Sequence, residues 1–355
     1  MYRPIVSIII PVYNEEKFID RCIGSIQSQT YNNLQVIMVN GGSTDGSRAK
    51  CEEWARRWNN GPTSNMGIAE LINTENNGVS ASRNIGLTHA IGELVTFVDG
   101  DDWLEPNAVQ LMVDGIYQHN ADMSGCAFQS RYDQDLELES VYSSSNEVSN
   151  QTSVSNELAK QTAVTDEVCS VREFIEGHLL EGDVHCWGRM FKRELIGKLT
   201  FKEGLAIGED VLFLTQYLLS CKTVFCTDNR CYNYYRNPAG AMFRPFTPQA
   251  MDQIKCWELI REELAGYDET YREDARLKAN ALIAAMLTAG RMAIMSKSAR
   301  KSADNLERID IIKRSVKSNK CRSSMKLLDR GYKLKIRLFR FSPNLYLSLY
   351  HVHKS

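Results

Sequence analysis

The chain has 355 residues, of which 43% are hydrophobic, and its formal net charge is −2. This length allows one large domain or two modest ones, and the near-neutral charge argues against binding nucleic acid through bulk charge. We find no run of about 18 apolar residues that would predict a spanning helix, and no secretory signal. The ten cysteines include no C-x-x-C pair, which favours reduced thiols and a cytoplasmic protein.

Strand-like and helix-like patterns alternate through the first 130 residues. Continuous apolar runs predict strands at Val6–Val12, 34–39, 68–72, 94–98 and 123–128. Helical spacing follows each of the first four strands, with Asn14 predicted to cap the first helix and Ser43 or Thr44 the second. Strands that alternate with helices at this spacing predict a doubly wound, mostly parallel α/β sheet.

The most distinctive stretch is 94–103, in which an apolar strand leads directly into Asp99, Asp101 and Asp102. Clustered carboxylates resist burial, and a doubly wound sheet opens its ligand crevice at the carboxyl ends of its strands. There the acids could hold a divalent cation, and Gly100 leaves room for a close backbone approach. The alternative is a solvated acidic turn before the next helix, and the triplet alone does not decide between them.

The composition changes after this region. Residues 130–168 are dominated by Ser, Asn, Thr and Gln, which predicts a low-complexity insertion or mobile loop. From 246 to 355 the spacing is helical, so we predict a domain at 1–245 and a helical region at 246–355. The basic tail interleaves Lys and Arg with Leu, Phe and Tyr. This pattern is typical of an interfacial amphipathic segment, and a solvated basic face packed on the catalytic domain is an equally weighted alternative.

Four stretches, taken in order, resemble family 2 glycosyltransferases. These are residues 11–16 (PVYNEE), 40–45 (NGGSTD), 76–84 (NNGVSASRN) and 99–103 (DGDDW). Downstream, residues 187–191 (WGRMF), 208–210 (GED) and 234–236 (YYR) look like the acceptor-side motifs. The likeness covers roughly residues 4–245. It implies an inverting enzyme of the GT-A fold with a nucleotide-sugar donor.

The resemblance also implies roles for individual residues. A Mn²⁺ or Mg²⁺ ion held by Asp101, with Asp99 in support, would offset the charge that develops on the leaving diphosphate. Asp210, in a pair with Glu209, would accept the proton of the acceptor hydroxyl, although both acids would also suit a helix N-terminus. The donor-side residues implied are Pro11, Tyr13, Glu16, Asn40, Gly41, Ser43, Asn76, Arg83, Asp99 and Gly100, with Arg189 and Arg236 as diphosphate or acceptor contacts.

One position departs from the family pattern. Family members usually carry Asp where this chain has Gly41, and that Asp contacts the base or ribose of the donor. Losing a hydrogen-bond partner typically costs about 1–3 kcal/mol. Weakened nucleotide recognition, substitution by Asn40 or Ser43, a different donor and a disabled enzyme all remain open.

The reaction we predict moves a hexose-type sugar from a nucleotide donor, with UDP favoured, to a hydroxyl of a glycan or lipid-linked acceptor in cell-surface polysaccharide synthesis. The alternative is a catalytically silent nucleotide-sugar-binding or scaffold protein of a polysaccharide assembly. A nucleotidyltransferase fits less well, and a dehydrogenase fits worst because no G-x-G-x-x-G follows the first strand. The basic tail predicts peripheral contact with the inner face of the cytoplasmic membrane, and no nucleic-acid partner is expected.

Overall fold

The computed structural model describes residues 3–61, 66–133, 165–237, 240 and 246–354. The chain divides into two compact units. The first consists of Met1–Val171, Cys186–Gly197 and Cys221–Gly240, and the second of Arg172–His185, Lys198–Ser220 and Ala241–Ser355. Two segments that precede the predicted boundary at residue 245 therefore belong with the C-terminal helices.

The first unit contains a nine-stranded sheet in the order β3-β2-β1-β4-β8-β6-β9-β5, with β7 also paired to β9. The strands are β1 Val6–Val12, β2 Leu34–Gly41, β3 Gly67–Thr74, β4 Leu94–Phe97, β5 Trp103–Leu104, β6 Met123–Arg131, β7 Asp166–Ser170, β8 Arg189–Lys192 and β9 Thr223–Tyr235. Both ends of the predicted 130–168 insertion are strand, in β6 and β7, and its residues 134–164 lie outside the described part of the chain.

The sheet is mixed. Strand β1 runs parallel to β2 and β4, β2 runs parallel to β3, and β6 runs parallel to β9. Strand β8 is antiparallel to both β4 and β6, and β5 and β7 are antiparallel to β9. The expected parallel arrangement thus holds for the first four strands. The register between β6 and β9 shifts on both sides of Ala127, where Cys126 pairs with Thr227, Ala127 with Arg230 and Phe128 with Tyr232.

The helices of the described residues cover both faces of the sheet and build the second unit. In chain order they are α1 Ile19–Gln27, α2 Ser47–Asn60, α3 Val79–His89, α4 Ala108–Gln118, α5 Val171–Gly177, α6 Arg193–Ile196, α7 Glu209–Leu218, α8 Asp252–Tyr267, α9 Ala275–Ala293, α10 Lys297–Arg300, α11 Ala303–Asn319, α12 Arg322–Leu327, α13 Arg330–Phe341 and α14 Pro343–Lys354.

Alternating side chains of β1 explain the layers of the first unit, because successive strand residues face opposite sides of a sheet. Ile8 and Ile10 lie in a core shared with α1, α2 and α4. Ile9 faces the other side, where α3 comes so close that a Cβ at Gly86 would lie 2.4 Å from the Ile9 side chain. The apolar run of β1 is therefore buried on both faces, as its composition predicted.

The helix caps predicted after β1 and β2 are wrong. Asn14 has a φ of 58°, which is left-handed backbone, and α1 begins only at Ile19. In α2, which begins at Ser47, the carboxylate of Asp45 accepts the N–H of Ser47 at 3.0 Å. The predicted capping side chains are used between the two loops instead. Oγ of Ser43 accepts the N–H of Asn14, and Oδ1 of Asn14 accepts the N–H of Thr44.

The second unit has a helical core centred on α9. Leu282, Ala285 and Ala289 of that helix are fully buried beside Ile312 of α11. The basic tail contributes to the same core through residues that include Ile336, Phe339, Tyr346 and Leu347. Other tail side chains remain outside it, since Leu334 is 67% and Phe341 83% exposed. Within the described residues, no helix is both long and apolar enough to cross a membrane.

Candidate functional site

The loop after β4 holds three carboxylates in different environments. Asp102 is fully buried. Its Oδ2 accepts the hydroxyl of Tyr232 at 2.7 Å, and its Oδ1 accepts the backbone N–H of Tyr235 at 2.7 Å. Because strand β9 occupies both oxygens, Asp102 anchors the loop to the sheet.

Asp99 and Asp101 are the more accessible pair. The Asp99 side chain is 27% exposed, and its Oδ1 accepts Nη2 of the buried Arg83 at 2.9 Å. The Oδ2 of Asp101 accepts Nδ2 of Asn237 at 3.2 Å, and its backbone carbonyl accepts Nη2 of Arg21 at 2.9 Å. Burial, together with the charge of Asp99, raises the pKa of Asp101 to about 6. The two carboxylates thus form a concentrated negative site at the end of β4.

The structure brings a third acid, Glu15, to this loop. A Cβ at Gly100 would lie 3.1 Å from Cγ of Glu15 and 3.3 Å from the carbonyl oxygen of Pro11, so the close backbone approach expected at Gly100 is present. Burial, followed by the charges of Asp101 and Asp99, raises the pKa of Glu15 to about 8. Sequence reasoning favoured Glu16 instead. The only signal for Glu15 was its position beside Glu16 in the PVYNEE stretch.

These carboxylates suit a divalent cation that is completed by its substrate. Among the described residues, no group of three or more His, Cys, Asp or Glu side chains is arranged to hold a metal alone. Mg²⁺ is usually held by one or two carboxylates together with substrate phosphates rather than by an all-protein cage. Asp99 and Asp101 supply that number of hard oxygen ligands, so the residues present fit the ion.

The loops after β1 and β2 are joined by side-chain hydrogen bonds. The backbone N–H of Asn14 donates to Oγ of Ser43 at 3.0 Å, and its Oδ1 accepts the N–H of Thr44 at 2.8 Å. Glu16 accepts the N–H of Gly46 at 3.0 Å, so its carboxylate lies at the start of α2. Tyr13 is 43% exposed beside them. Of the predicted donor-side residues in these loops, Tyr13 and Glu16 are exposed, whereas the others are half-buried or buried.

The turn after β2 shows how the chain is built around Gly41. Asn40 is buried, where its Nδ2 donates to Oδ1 of Asn73 at 2.8 Å and its Oδ1 accepts the N–H of Ser43 at 3.2 Å. Both ends of the Asn40 side-chain amide are therefore used in hydrogen bonds that hold the turn. A Cβ at Gly41 would meet Oγ of Ser82 at 3.2 Å, so a side chain fits there with a small adjustment.

Asn76 lies in the loop before α3, and Arg83 lies within α3. Oδ1 of Asn76 accepts the N–H of Gly78 at 3.1 Å. A Cβ at Gly42 would lie 3.1 Å from the backbone nitrogen of Asn76, so these two backbones are in close contact. The N-terminal motifs therefore converge at the carboxyl ends of β1, β2 and β4.

The two downstream arginines occupy different environments. Arg189 is buried within the sheet, where its Nη1 lies 3.4 Å from the carbonyl oxygens of Cys126 and Gly188. Arg236 lies 4.9 Å from the ring centroid of Tyr234 and donates from Nε to Oγ of Ser130 at 3.1 Å. Arg236 is thus the more accessible of the two for an anionic or sugar ligand.

Glu209 and Asp210 form the first turn of α7 in the second unit. The helix starts after Gly208, whose φ is 97°. A Cβ there would lie 2.6 Å from Sγ of Cys256, so only glycine suits this backbone. Both acids lie where a helix dipole stabilises negative charge. The role of Asp210 as general base stays a prediction.

A mixed α/β sheet whose fourth strand leads into an acidic loop, followed by a helical region, is the GT-A architecture. The family model described as Glycosyl transferase family 2 matches residues 7–198, which is more than half of the chain. The chain therefore belongs to this family.

Relatives and solved structures agree with this assignment. Glycosyltransferase GlyA of Streptococcus pneumoniae is 32% identical over 252 residues, which is 70% of this chain and 33% of GlyA. The chain thus spans a third of that relative. TarS 1–349 of S. aureus with UDP-GlcNAc superposes with a TM-score of 0.62 at 17% identity, over 98% of this chain and 91% of TarS 1–349. The mannosyltransferase PcManGT of Pyrobaculum calidifontis with GDP-Man and Mn²⁺ gives 0.52 at 16% identity, over 100% and 89%. These two likenesses establish the fold.

Proposed function

We propose that this chain is a metal-dependent, inverting glycosyltransferase that moves a hexose-type sugar from a UDP-sugar to a hydroxyl of a glycan or lipid-linked acceptor. The pair of carboxylates at the end of β4, Asp99 held by Arg83 and Asp101 held by Asn237, carries this proposal. Complexes of the same fold with UDP-GlcNAc, and with GDP-Man and Mn²⁺, support this choice of donor and cation.

We assign separate roles in the reaction to the carboxylates of the acidic loop, to Arg83 and to Asp210. Asp99 and Asp101 would hold a Mn²⁺ or Mg²⁺ ion, which when bound would neutralise charge on the leaving diphosphate. Arg83, buried against Asp99, orients that carboxylate through a charge-assisted hydrogen bond. Asp210 would accept the proton of the acceptor hydroxyl as it attacks the anomeric carbon from the face opposite the diphosphate, which inverts the configuration at that carbon.

Donor binding tests the proposal directly. Isothermal titration with UDP should give heat of binding with Mn²⁺ present and much weaker binding with EDTA. Transfer should appear with at least one member of a panel of UDP-sugars. Asp101→Asn should remove the effect of Mn²⁺, and Asp114→Asn, a half-buried acid bonded to Gln110 on α4, should leave it intact. If Asp101→Asn responds to Mn²⁺ as wild type does, the ion is bound elsewhere.

A silent nucleotide-sugar-binding or scaffold protein is the second candidate, and Gly41 is the observation that favours it. In that case UDP affinity would be weak or absent and no sugar in the panel would be transferred. The transfer assay above separates the two candidates, because an enzyme with a weakened pocket still turns over donor at high concentration.

We propose in addition that the tail makes peripheral contact with an anionic membrane. Helix α13 presents the exposed Leu334 and Phe341 among five Lys and Arg residues in its sequence, which is the composition of an interfacial helix. Removing the tail is a poor test, because Ile336 and Phe339 belong to the core of the second unit. Substitution of exposed side chains is the better experiment.

A further inference from the structure

A single hydroxyl group connects strand β9 to two residues of the acidic loop. Tyr232 is fully buried. Its O–H donates to Oδ2 of Asp102 at 2.7 Å, and its oxygen accepts the backbone N–H of Asp99 at 3.3 Å. The hydroxyl therefore serves as donor and acceptor at once, with a partner on each side of Asp101.

The loop is fixed at both of these points. The N–H of Asp102 donates back to the carbonyl of Asp99 at 3.0 Å, which closes a tight turn around Gly100 and Asp101. The second oxygen of Asp102 accepts the N–H of Tyr235 at 2.7 Å. Strand β9 therefore sets the position of the backbone from which both accessible carboxylates project.

The Tyr232 ring is itself held rigidly. It stacks on Trp187 with ring centroids 4.4 Å apart and an interplanar angle of 15°. A stacked ring whose hydroxyl bonds a buried carboxylate has little freedom to move. The position of the Tyr232 ring therefore determines the position of the loop. This explains why the third acid of the triplet points into the sheet.

We infer that Tyr232 and Asp102 are positioning residues for the cation site, and that Asp102 is not a ligand of the ion. The inference rests on the proposed metal-dependent donor binding. Groups that orient metal ligands without touching the metal typically change metal affinity or activity by about 10–100-fold when they are removed. The Tyr232 hydroxyl reaches Asp99 directly and reaches Asp101 through the backbone that Asp102 holds.

Tyr232→Phe removes the hydroxyl and keeps the stacked ring. Tyr31→Phe is the matched control, because Tyr31 is equally buried in the same unit and its hydroxyl donates to the carbonyl of Pro4 at 2.5 Å. Tyr31→Phe loses the hydrogen bond to Pro4, and Tyr232→Phe loses those to Asp102 and Asp99, so both variants should lose thermal stability. Only Tyr232→Phe should weaken the Mn²⁺-dependent part of UDP affinity, by about 10–100-fold, with UDP affinity in EDTA unchanged within about twofold.

Hydrogen exchange gives a measurement without any ligand. Without the Tyr232 hydroxyl, the N–H of Asp99 loses its partner, so exchange in a peptide covering residues 98–104 should speed up about tenfold or more in Tyr232→Phe. The same peptide in Tyr31→Phe should exchange as in wild type. A hydroxyl that only stabilises the fold would lower the melting temperature of Tyr232→Phe but leave the Mn²⁺-dependent part of its UDP affinity unchanged.

Asp102→Asn separates positioning from ligation. Asparagine keeps an acceptor for the N–H of Tyr235 and an amide that can donate to the Tyr232 oxygen, so Mn²⁺-dependent UDP affinity should fall less than about tenfold. Asp101→Asn, which removes a proposed ligand, should lose about 100-fold or more. Equal losses in the two variants would show that Asp102 ligates the ion and would overturn the inference.

Two further outcomes are decisive. If Tyr232→Phe binds UDP with Mn²⁺ as wild type does and residues 98–104 exchange normally, the hydroxyl only packs and the inference is wrong. If wild-type protein binds no UDP with Mn²⁺, the proposed donor chemistry fails and the role at a cation site fails with it. The exchange measurement would then still show whether Tyr232 fixes the loop.

Discussion

The two units are stabilised in different ways and differ in how much chemistry they show. In the first, apolar strands are buried on both faces and polar side chains gather in the loops that follow them, so nearly every predicted donor-side residue lies in one region. In the second, Ala285, Ala289 and Ala293 form a helix surface that allows close packing. Glu209 and Asp210 are the only predicted site residues there. The first unit therefore supports residue-by-residue assignment, and in the second the chemistry depends on one proposed base.

The largest expected effect is at Asp210, and it tests whether the second unit supplies the general base. Asp210→Asn should lower kcat for sugar transfer by about 10²–10⁴-fold, because a general base typically contributes that much, while UDP affinity stays near the wild-type value. Glu209→Gln is the neighbouring control and should cost less than about tenfold. If Glu209→Gln instead shows the large loss of kcat, Glu209 rather than Asp210 is the general base.

The next effect concerns the stability of the first unit. Arg83→Met should lower the free energy of unfolding by about 3 kcal/mol, because it leaves Asp99 without its buried partner. Arg57→Met removes a partner of Glu53 in an exposed pair on α2 and should cost less than about 0.5 kcal/mol. Urea denaturation of the two variants measures the difference. Equal losses would mean that the Arg83 pair contributes no more than a surface pair.

The second unit can be tested through its exposed tail. Phe341→Glu should reduce partitioning onto phosphatidylserine-containing liposomes about tenfold, because it replaces apolar area worth about 1.5–3 kcal/mol on burial with a charge that anionic lipid repels. Leu306→Glu, on α11 and 48% exposed, is the control from the same unit and should partition as wild type does. If the two variants sediment equally with liposomes, α13 is not the contact surface.

The smallest effect sharpens the description of the donor pocket. Gly41→Asp should tighten UDP binding about 5–10-fold by supplying an acceptor worth about 1–1.4 kcal/mol. Gly41→Ala adds only the Cβ, which meets Oγ of Ser82 at 3.2 Å, and should change affinity less than twofold. Titration of both variants with UDP and Mn²⁺ measures the effect. No gain in Gly41→Asp would show that another group already binds the base or ribose.

The sequence predicted strands β1–β4 and β6 well because continuous apolar runs admit few other structures, but it did not predict β5, β7 or β8. It was wrong about the cap at Asn14, since nothing in residues 11–16 shows that the backbone turns left-handed there. That turn directs Glu16 to the start of α2 and Glu15 to the acidic loop. The special role of Asp102 was equally unreadable, because its partners Tyr232 and Tyr235 lie about 130 residues later in the chain.

The irregular pairing around Ala127 has a consequence for how this fold tolerates change. Between Thr227 and Tyr232 the ninth strand gains residues relative to its neighbour, and side chains alternate strictly between the two sides of a strand. Deleting one residue there, for example Asn229, would turn the Tyr232 side chain away from Asp102. The side chain of a residue next to Tyr232 would point toward Asp102 instead. Length variation in this short stretch would therefore displace the anchor of the acidic loop, and with it the cation site that we propose.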